Sequence, residues 1–364
     1  MTKLFKRAFA MLVLSGLSSM AFAQTTCSNA LNSYSNYVTS GLISFASDVQ
    51  TNHPECFASG STTSTIEINA TSFAQAAAVS RAISSRFSLL SDGPLASVGT
   101  TGLAAGGVTD KFNVWGNIDQ NNTDYSYTNT NATTSTGWNN VTTSVVGFDY
   151  ALSPQMVVGL SAAFDRAKGF GTHPTAALTT THTDGYQIAP YIGYQLSKEL
   201  AMDASVGLGK GDYSNNSAVS ASADRWFAAA NLTYAKWIDK IQLTGKASYL
   251  HGEEEYGNSK LAGVTTASTG STNKLDQVRL GAQAGYWMNG VMPFAGLAYT
   301  SNVSRSNSAP GSSDALGRDG FVWTLGANFF SLSSKITGGL MYQVETNRSN
   351  SDNDVLTANI NFRF

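Results

Sequence analysis

The sequence predicts an all-β transmembrane barrel of about twelve antiparallel strands with an N-terminal α-helix in its lumen. Three observations carry that expectation. Segments of alternating apolar and polar residues recur from about Lys111 to Phe364, and the links between them alternate between short and long. Charged residues make up only 13% of the 364 residues, whereas Gly reaches 34 and aromatics 11%. Low charge with abundant Gly and aromatics suits a ring of strands whose outside meets hydrocarbon and whose rims carry aromatic girdles. The net charge of −2 argues against nucleic acid as a partner.

The chain opens on "MTKLFKRAFAMLVLSGLSSMAFAQ", in which Lys3, Lys6 and Arg7 precede an apolar run and Ala21-Phe22-Ala23 gives a small-residue cleavage pattern. Residues 1–23 are therefore expected to be a secretory signal peptide, with Gln24 first in the mature protein. The apolar core from Ala8 to about Leu17 is too short to span a bilayer, and no later stretch approaches the roughly 18 apolar residues of a membrane helix. Residues 24–70 form a short N-terminal passenger or plug segment. It holds both cysteines, Cys27 and Cys56. In an exported chain a disulfide between them is the simplest reading, closing a loop of about 30 residues and stabilising it by roughly 3 kcal/mol. Only His53 lies near them, so a metal site with its three or four ligands is a poor alternative.

Residues 71–90, "TSFAQAAAVSRAISSRFSLL", make the one clear helix, within a linker spanning 71–95. Ser72 with Gln75 forms a capping box, Phe73, Ala77, Ile83, Phe87 and Leu90 recur at helical spacing, and Asp92-Gly93-Pro94 stops it. Its surface is mostly Ala and Ser, slim enough for a barrel interior. Arg81 and Arg86 are expected to find partners on inward positions such as Asp149, Asp203 or Glu345.

From about 109 to 364 the barrel domain follows. Leu200, Met202, Ala204, Val206 and Leu208 oppose Asp203 and Ser205; Ile241, Leu243, Ala247 and Tyr249 oppose Gln242, Thr244, Lys246 and Ser248. Strand parity places the first member of each set on lipid and the second in a wet lumen. Short links such as "LSPQ", "SKE", "IDK", "NG" and "SLSS" alternate with long polar ones at 120–139, 167–181, 213–220, 252–273, 301–318 and 347–354. A soluble sandwich has no reason to sort its loops by length; an outer-membrane barrel has short periplasmic turns and longer external loops. The closing "LTANINFRF" puts Leu356, Ala358, Ile360, Phe362 and Phe364 on one parity and Thr357, Asn359, Asn361 and Arg363 on the other.

Taken in order, "SRAISSRF", "TSVVGFDYALSPQMVVGLSAAFD", "GYQIAPYIGYQL", "VMPFAGLAYT" and the terminal "NINFRF" resemble the translocator domain of the autotransporters, the type V secretion proteins, over roughly Thr71 to Phe364. The resemblance implies that the helix passes through the pore and links an exported segment to the barrel. It also implies that Ile360, Phe362 and Phe364 carry the signal read by the outer-membrane assembly machinery. Outer-membrane lipid and periplasmic chaperones are the further partners implied, and the cell outer membrane is the expected location. Family passengers are usually long β-helical stalks, whereas residues 24–70 contain no repeat.

No catalytic chemistry is expected. "HGEEEY", residues 251–256, lies where a strand should emerge into an external loop and is expected to be a solvated charge run. His173 and His182 flank another external loop without anything to fix a carboxylate–His geometry. "GLGKGD" at 207–212 lacks the helix that a phosphate loop needs, and Gly-x-Ser-x-Gly patterns are absent. Two functions remain. One is a translocator that exports or displays its N-terminal segment without cofactor or metal. The other is a plugged barrel acting as a surface adhesin or pore through its external loops.

Overall fold

The computed structural model describes Ser33 and residues 62–87, 111–128, 134–173, 176–216, 218–265, 270–307, 316–331 and 336–364. The chain divides into two compact units, one of residues 1–59 with 216–218 and one of residues 60–215 with 219–364. The helix and all strands belong to the second. That unit opens on α1 (Thr62–Ser85), followed by β1 (Phe112–Thr128), β2 (Thr134–Ser153), β3 (Met156–His173), β4 (Ala176–Gln195), β5 (Leu200–Asn215), β6 (Val219–Ile238) and β7 (Ile241–Tyr256). The two-residue strands β8 (Lys260–Leu261) and β9 (Val264–Thr265) come next, then β10 (Ser271–Tyr286), β11 (Val291–Asn307), β12 (Asp319–Ser331), β13 (Ile336–Thr346) and β14 (Ser351–Arg363).

Twelve long strands close into one antiparallel ring. Neighbours in sequence pair throughout, β7 pairs β10, β5 pairs β6, and β14 returns to β1 with Arg363 opposite Asn113 and Ser351 opposite Tyr125. Closure leaves no strand edge, which is the condition for β structure in hydrocarbon. The strands β8 and β9 form a small hairpin on top of β6.

Side chains alternate across the ring as the pattern requires. On β5, Met202, Val206 and Leu208 point outward and are exposed, while Asp203 and Ser205 are buried inside. On β7, Ile241, Leu243 and Tyr249 face outward while Gln242 and Thr244 face in. Phe112, Tyr150, Tyr194, Tyr234, Tyr286 and Phe329 line the turn end of the outer surface; Tyr186, Trp226, Tyr249, Tyr299 and Phe321 line its other edge. Ring tyrosines put their hydroxyls on carboxylates just beyond the band, Tyr249 on Asp276 at 2.5 Å, Tyr299 on Asp319 at 2.7 Å and Tyr234 on Glu199 at 3.0 Å. Exposed ion pairs Arg166–Asp184 (2.9 Å) and Lys210–Asp224 (3.3 Å) mark where the apolar band ends.

At the turn end the connections are as tight as expected. Asn289 (φ 51°) and Gly290 (φ 102°) both take the left-handed conformation that a two-residue hairpin turn demands. The other end differs from expectation. Strands run 11–20 residues rather than about ten, and the polar stretches expected to be loops are largely hairpin: β1 continues to Thr128 and β2 starts at Thr134, inside the expected 120–139 loop. Asn, Thr and Ser on both faces of a strand remove the amphipathic signal but not the backbone ladder, so pairing continues above the apolar band. The helix also departs from 71–90. It starts at Thr62, so Ser72 lies in its interior rather than at its start, and it ends at Ser85 ahead of the Asp92-Gly93-Pro94 stop.

Parity predicts a sharp contrast between neighbours on β12. Leu325 is 65% exposed at the middle of the outer face, and Thr324 faces the lumen. Leu325→Arg should lower stability in lipid vesicles by roughly 2–4 kcal/mol, and Thr324→Arg by clearly less. Urea unfolding followed by tryptophan fluorescence distinguishes the two.

Candidate functional site

The lumen is lined largely by polar side chains, with apolar ones such as Val145, Val157, Phe227 and Leu250 among them where the helix packs. Asn113, Asn117, Asp119, Asn139, Asp149, Asp165, Asn231, Thr244, Gln343 and Thr357 all turn inward and are buried. A twelve-strand ring is wider than its own side chains can fill, and α1 occupies part of the remainder. The helix lies chiefly against β2 and β3 and touches β1 and β4–β7. Its small residues allow this approach: Ala76, Ala78, Val79, Ala82 and Ile83 are buried between helix and wall. Two glycines of the wall make room for its aromatics. A Cβ at Gly193 would strike the ring of Phe87, and one at Gly252 would lie 2.8 Å from that of Phe73.

Charge anchors the C-terminal part of the helix. Arg86 ion-pairs with Asp149, a side chain 1% exposed. Asp149 also accepts from Asn113 Nδ2 at 2.8 Å and from the Tyr191 hydroxyl at 2.8 Å. Trp115 Nε1 donates to that hydroxyl at 2.8 Å, and its ring lies under the Arg86 guanidinium at 5.4 Å. The result is a closed group in which the carboxylate satisfies one cation and two neutral donors. One turn back, Arg81 Nη2 donates to Asp119 Oδ2 at 2.8 Å, and Asn117 Nδ2 donates to the other oxygen at 3.0 Å. Asn231 bridges Ser80 Oγ (3.2 Å) and Asp203 (2.7 Å).

Towards the other end the contacts are neutral. Asn139 Nδ2 donates to Thr71 Oγ1 at 3.2 Å, and Gln75 is fully buried with neither amide atom hydrogen-bonded. The helix therefore points its N-terminal side to the end of the long hairpins. Its C-terminal side ends beside Gly193, two residues from the close of β4 at the turn end.

Of the partners expected for the two arginines, Asp149 is taken by Arg86. Asp203 and Glu345 are engaged elsewhere, Glu345 by Arg348 at 2.7 Å, and Asp119 fills the second place. The "HGEEEY" stretch is not a solvated run. Glu254 is 0% exposed and accepts from Arg225 Nε at 2.6 Å, while Arg225 Nη1 reaches Asp165 at 3.2 Å. Strand parity continues through residues 251–256 and turns Glu254 and Tyr256 inward, which is why they are buried. His251 faces outward instead, with Nδ1 2.7 Å from Asp276 and its ring against Trp226 at 4.7 Å. Asp276 sits beside a register shift in β10, a feature the alternation alone does not show. His182 is exposed on the outer face of β4, and the GLGKGD stretch lies within β5. Among the described residues no group of three or more His, Cys, Asp or Glu is placed to hold a metal ion. Cys27 and Cys56 lie outside the described residues. On β14, Ile360 and Phe364 are exposed on the outer face, and the Phe364 amide donates to the Phe112 carbonyl at 2.9 Å.

A family model described as the autotransporter beta-domain matches residues 114–348. No curated protein sequence matches the chain. Among solved structures, the chain is similar to the translocator domain of the autotransporter NalP from Neisseria meningitidis, with 12% identity, TM-score 0.54, and 70% of this chain and 89% of that one covered. The transport unit of the autotransporter AIDA-I from Escherichia coli gives 13% identity, TM-score 0.52, and 69% and 90% coverage. For the β-domain of the Bordetella autotransporter Brka the values are 14%, 0.51, 70% and 100%. At these identities the likeness is one of fold.

The two ion pairs should differ in weight. Arg86 keeps 11% of its side chain exposed against 23% for Arg81, and Asp149 serves three donors. Asp149→Ala strands a buried guanidinium, a loss of roughly 3–5 kcal/mol, and should lower the temperature of heat modification on gels well below that of Asp119→Ala. Equal shifts would contradict this ranking.

Proposed function

The chain belongs to the autotransporter β-domain family, whose model spans well over half of its residues, and on that premise we propose that it is an outer-membrane translocator exporting or displaying its own N-terminal segment. The observation that carries this reading is the direction of α1. With Thr71 at the long-hairpin end and Phe87 at the turn end, the N-terminal side of the helix faces the hairpins. If short turns face the periplasm and long hairpins the outside, as in bacterial barrels, that side is the cell surface. In this reading residues 1–23 direct export and are removed, and residues 24–61, the part of the 24–70 segment ahead of α1, are the cargo. A bridge between Cys27 and Cys56, formed in the oxidising periplasm, makes that cargo a compact loop.

Translocation of this kind needs no cofactor, nucleotide or catalytic side chain. The ring supplies a hydrated passage, and burial of the outward parity in lipid holds it in place. Periplasmic chaperones keep the unfolded chain soluble, and the assembly machinery reads Ile360, Phe362 and Phe364 on the outer face of the closing strand.

An epitope inserted after Gly60 should be labelled by antibody on intact cells. A hidden epitope in correctly assembled protein would favour the other reading, a plugged barrel acting as adhesin or pore through its hairpins. The terminal strand gives a second test. Phe364→Asp places a charge at a position 65% exposed on the outer face, and it should reduce the amount of heat-modifiable, membrane-embedded protein several-fold. Unchanged amounts would remove Phe364 from the assembly signal.

A further inference from the structure

The helix does not fill the ring evenly. It lies against the β2–β3 side, and between it and the wall of β7 and β10–β14 a cavity of about 210 Å³ remains. The donors lining it include the hydroxyls of Ser80, Ser84 and Thr244, and among the described residues Arg81, Lys246 and Arg279 are its only charged side chains, with no carboxylate. A second cavity of about 170 Å³ continues towards the hairpin end, shares Arg81 and Arg279 with the first, and adds Arg305 and Arg348. Its one carboxylate, Glu345, is held by Arg348 through Nε at 3.0 Å and Nη2 at 2.7 Å.

The charges of this path do not cancel. Arg81 is matched by Asp119, and Arg348 by Glu345. Lys246 on β7 and Arg279 on the adjacent β10 make no ion pair among the described residues. The carboxylates whose fields reach them stand off from both: Asp203, bonded to the neutral amide of Asn231, offsets Lys246 only at a distance and lines neither cavity, and Glu345 is held by Arg348. Both cations are only half-buried and open onto the cavities. In a narrow wet passage with low-dielectric walls, uncompensated cations repel cations, concentrate anions and act as a selectivity element. Hydroxyl and amide donors beside them replace part of an anion's hydration.

We propose that the space beside α1 is a path for small anions such as chloride, selected against cations by Lys246 and Arg279. The proposal rests on the membrane-spanning ring and the helix within it, and not on export of residues 24–61; a hidden epitope at Gly60 leaves it standing. The purified full-length protein, inserted in a planar bilayer of neutral lipid under a KCl gradient, should show a reversal potential of the sign set by chloride. The Lys246→Glu/Arg279→Glu variant should carry that potential across zero to the potassium side. Lys246→Gln/Arg279→Gln, which keeps hydrogen bonding and changes shape little, should bring it close to zero, and heat-shifted gel mobility checks that both variants assemble. A wild-type protein that prefers potassium, shows no preference or passes no current overturns the proposal. So does an assembled variant of either kind whose reversal potential does not move.

Discussion

An unpaired backbone amide or carbonyl in hydrocarbon costs several kcal/mol, and water is not there to relieve it. A β protein can meet that demand only by returning its last strand to its first, and here the pairing of β14 with β1 does so over the whole run from Asn113–Arg363 to Tyr125–Ser351. Everything else in the molecule follows from that closure. Once the ring is shut, each strand has one face in lipid and one inside, so outward positions must be apolar and inward ones are free to be polar. The sharpness of the alternation in β5, where exposed Met202, Val206 and Leu208 flank buried Asp203 and Ser205, is a direct product of this geometry.

Closure also creates a problem inside. A ring of twelve strands encloses more space than its inward side chains occupy, and those side chains are carboxylates, amides and hydroxyls that need partners. The helix answers both needs. Its Ala and Ser surface lets the backbone lie close to β2 and β3, and its two arginines neutralise Asp149 and Asp119. Removing the helix would leave those carboxylates to water, which is tolerable in a wet lumen.

Much of this was legible in the sequence because period-two alternation is a local property that the membrane enforces on every strand. The ring of about twelve strands, their inward and outward faces, the slim helix and the place of Asp149 among the inward partners expected for its two arginines follow from residue types and parity. What escaped is what parity does not encode. Polar hairpins such as residues 120–128 of β1 carry no amphipathic signal, yet their backbones pair as well as any others, so the strands are longer than their apolar part. Ser72 and Gln75 match a capping box, but the preceding turns from Thr62 continue the helix, and Gln75 turns to the wall instead. Glu254 stands in a run of three glutamates that reads as solvated; the strand continues past the apolar band and its parity turns Glu254 inward, where Arg225, itself bonded to Asp165, pairs with it.

The distribution of anchors along α1 bears on how a helix comes to rest in such a passage. From Thr71 to Ser80 it carries no charged side chain. Its described contacts there include apolar packing, the bonds of Asn139 to Thr71 and of Asn231 to Ser80, and a buried Gln75 amide that finds no partner. A buried amide left unpaired weakens a docked position rather than favouring it. The charged contacts begin at Arg81 and are densest at Arg86, where Asp149, Tyr191 and Trp115 converge. The firmest contacts of the described part of α1 and the turn after it thus lie towards the turn end of the ring, where Arg86 meets Asp149, and packing carries more of the hold on the preceding turns.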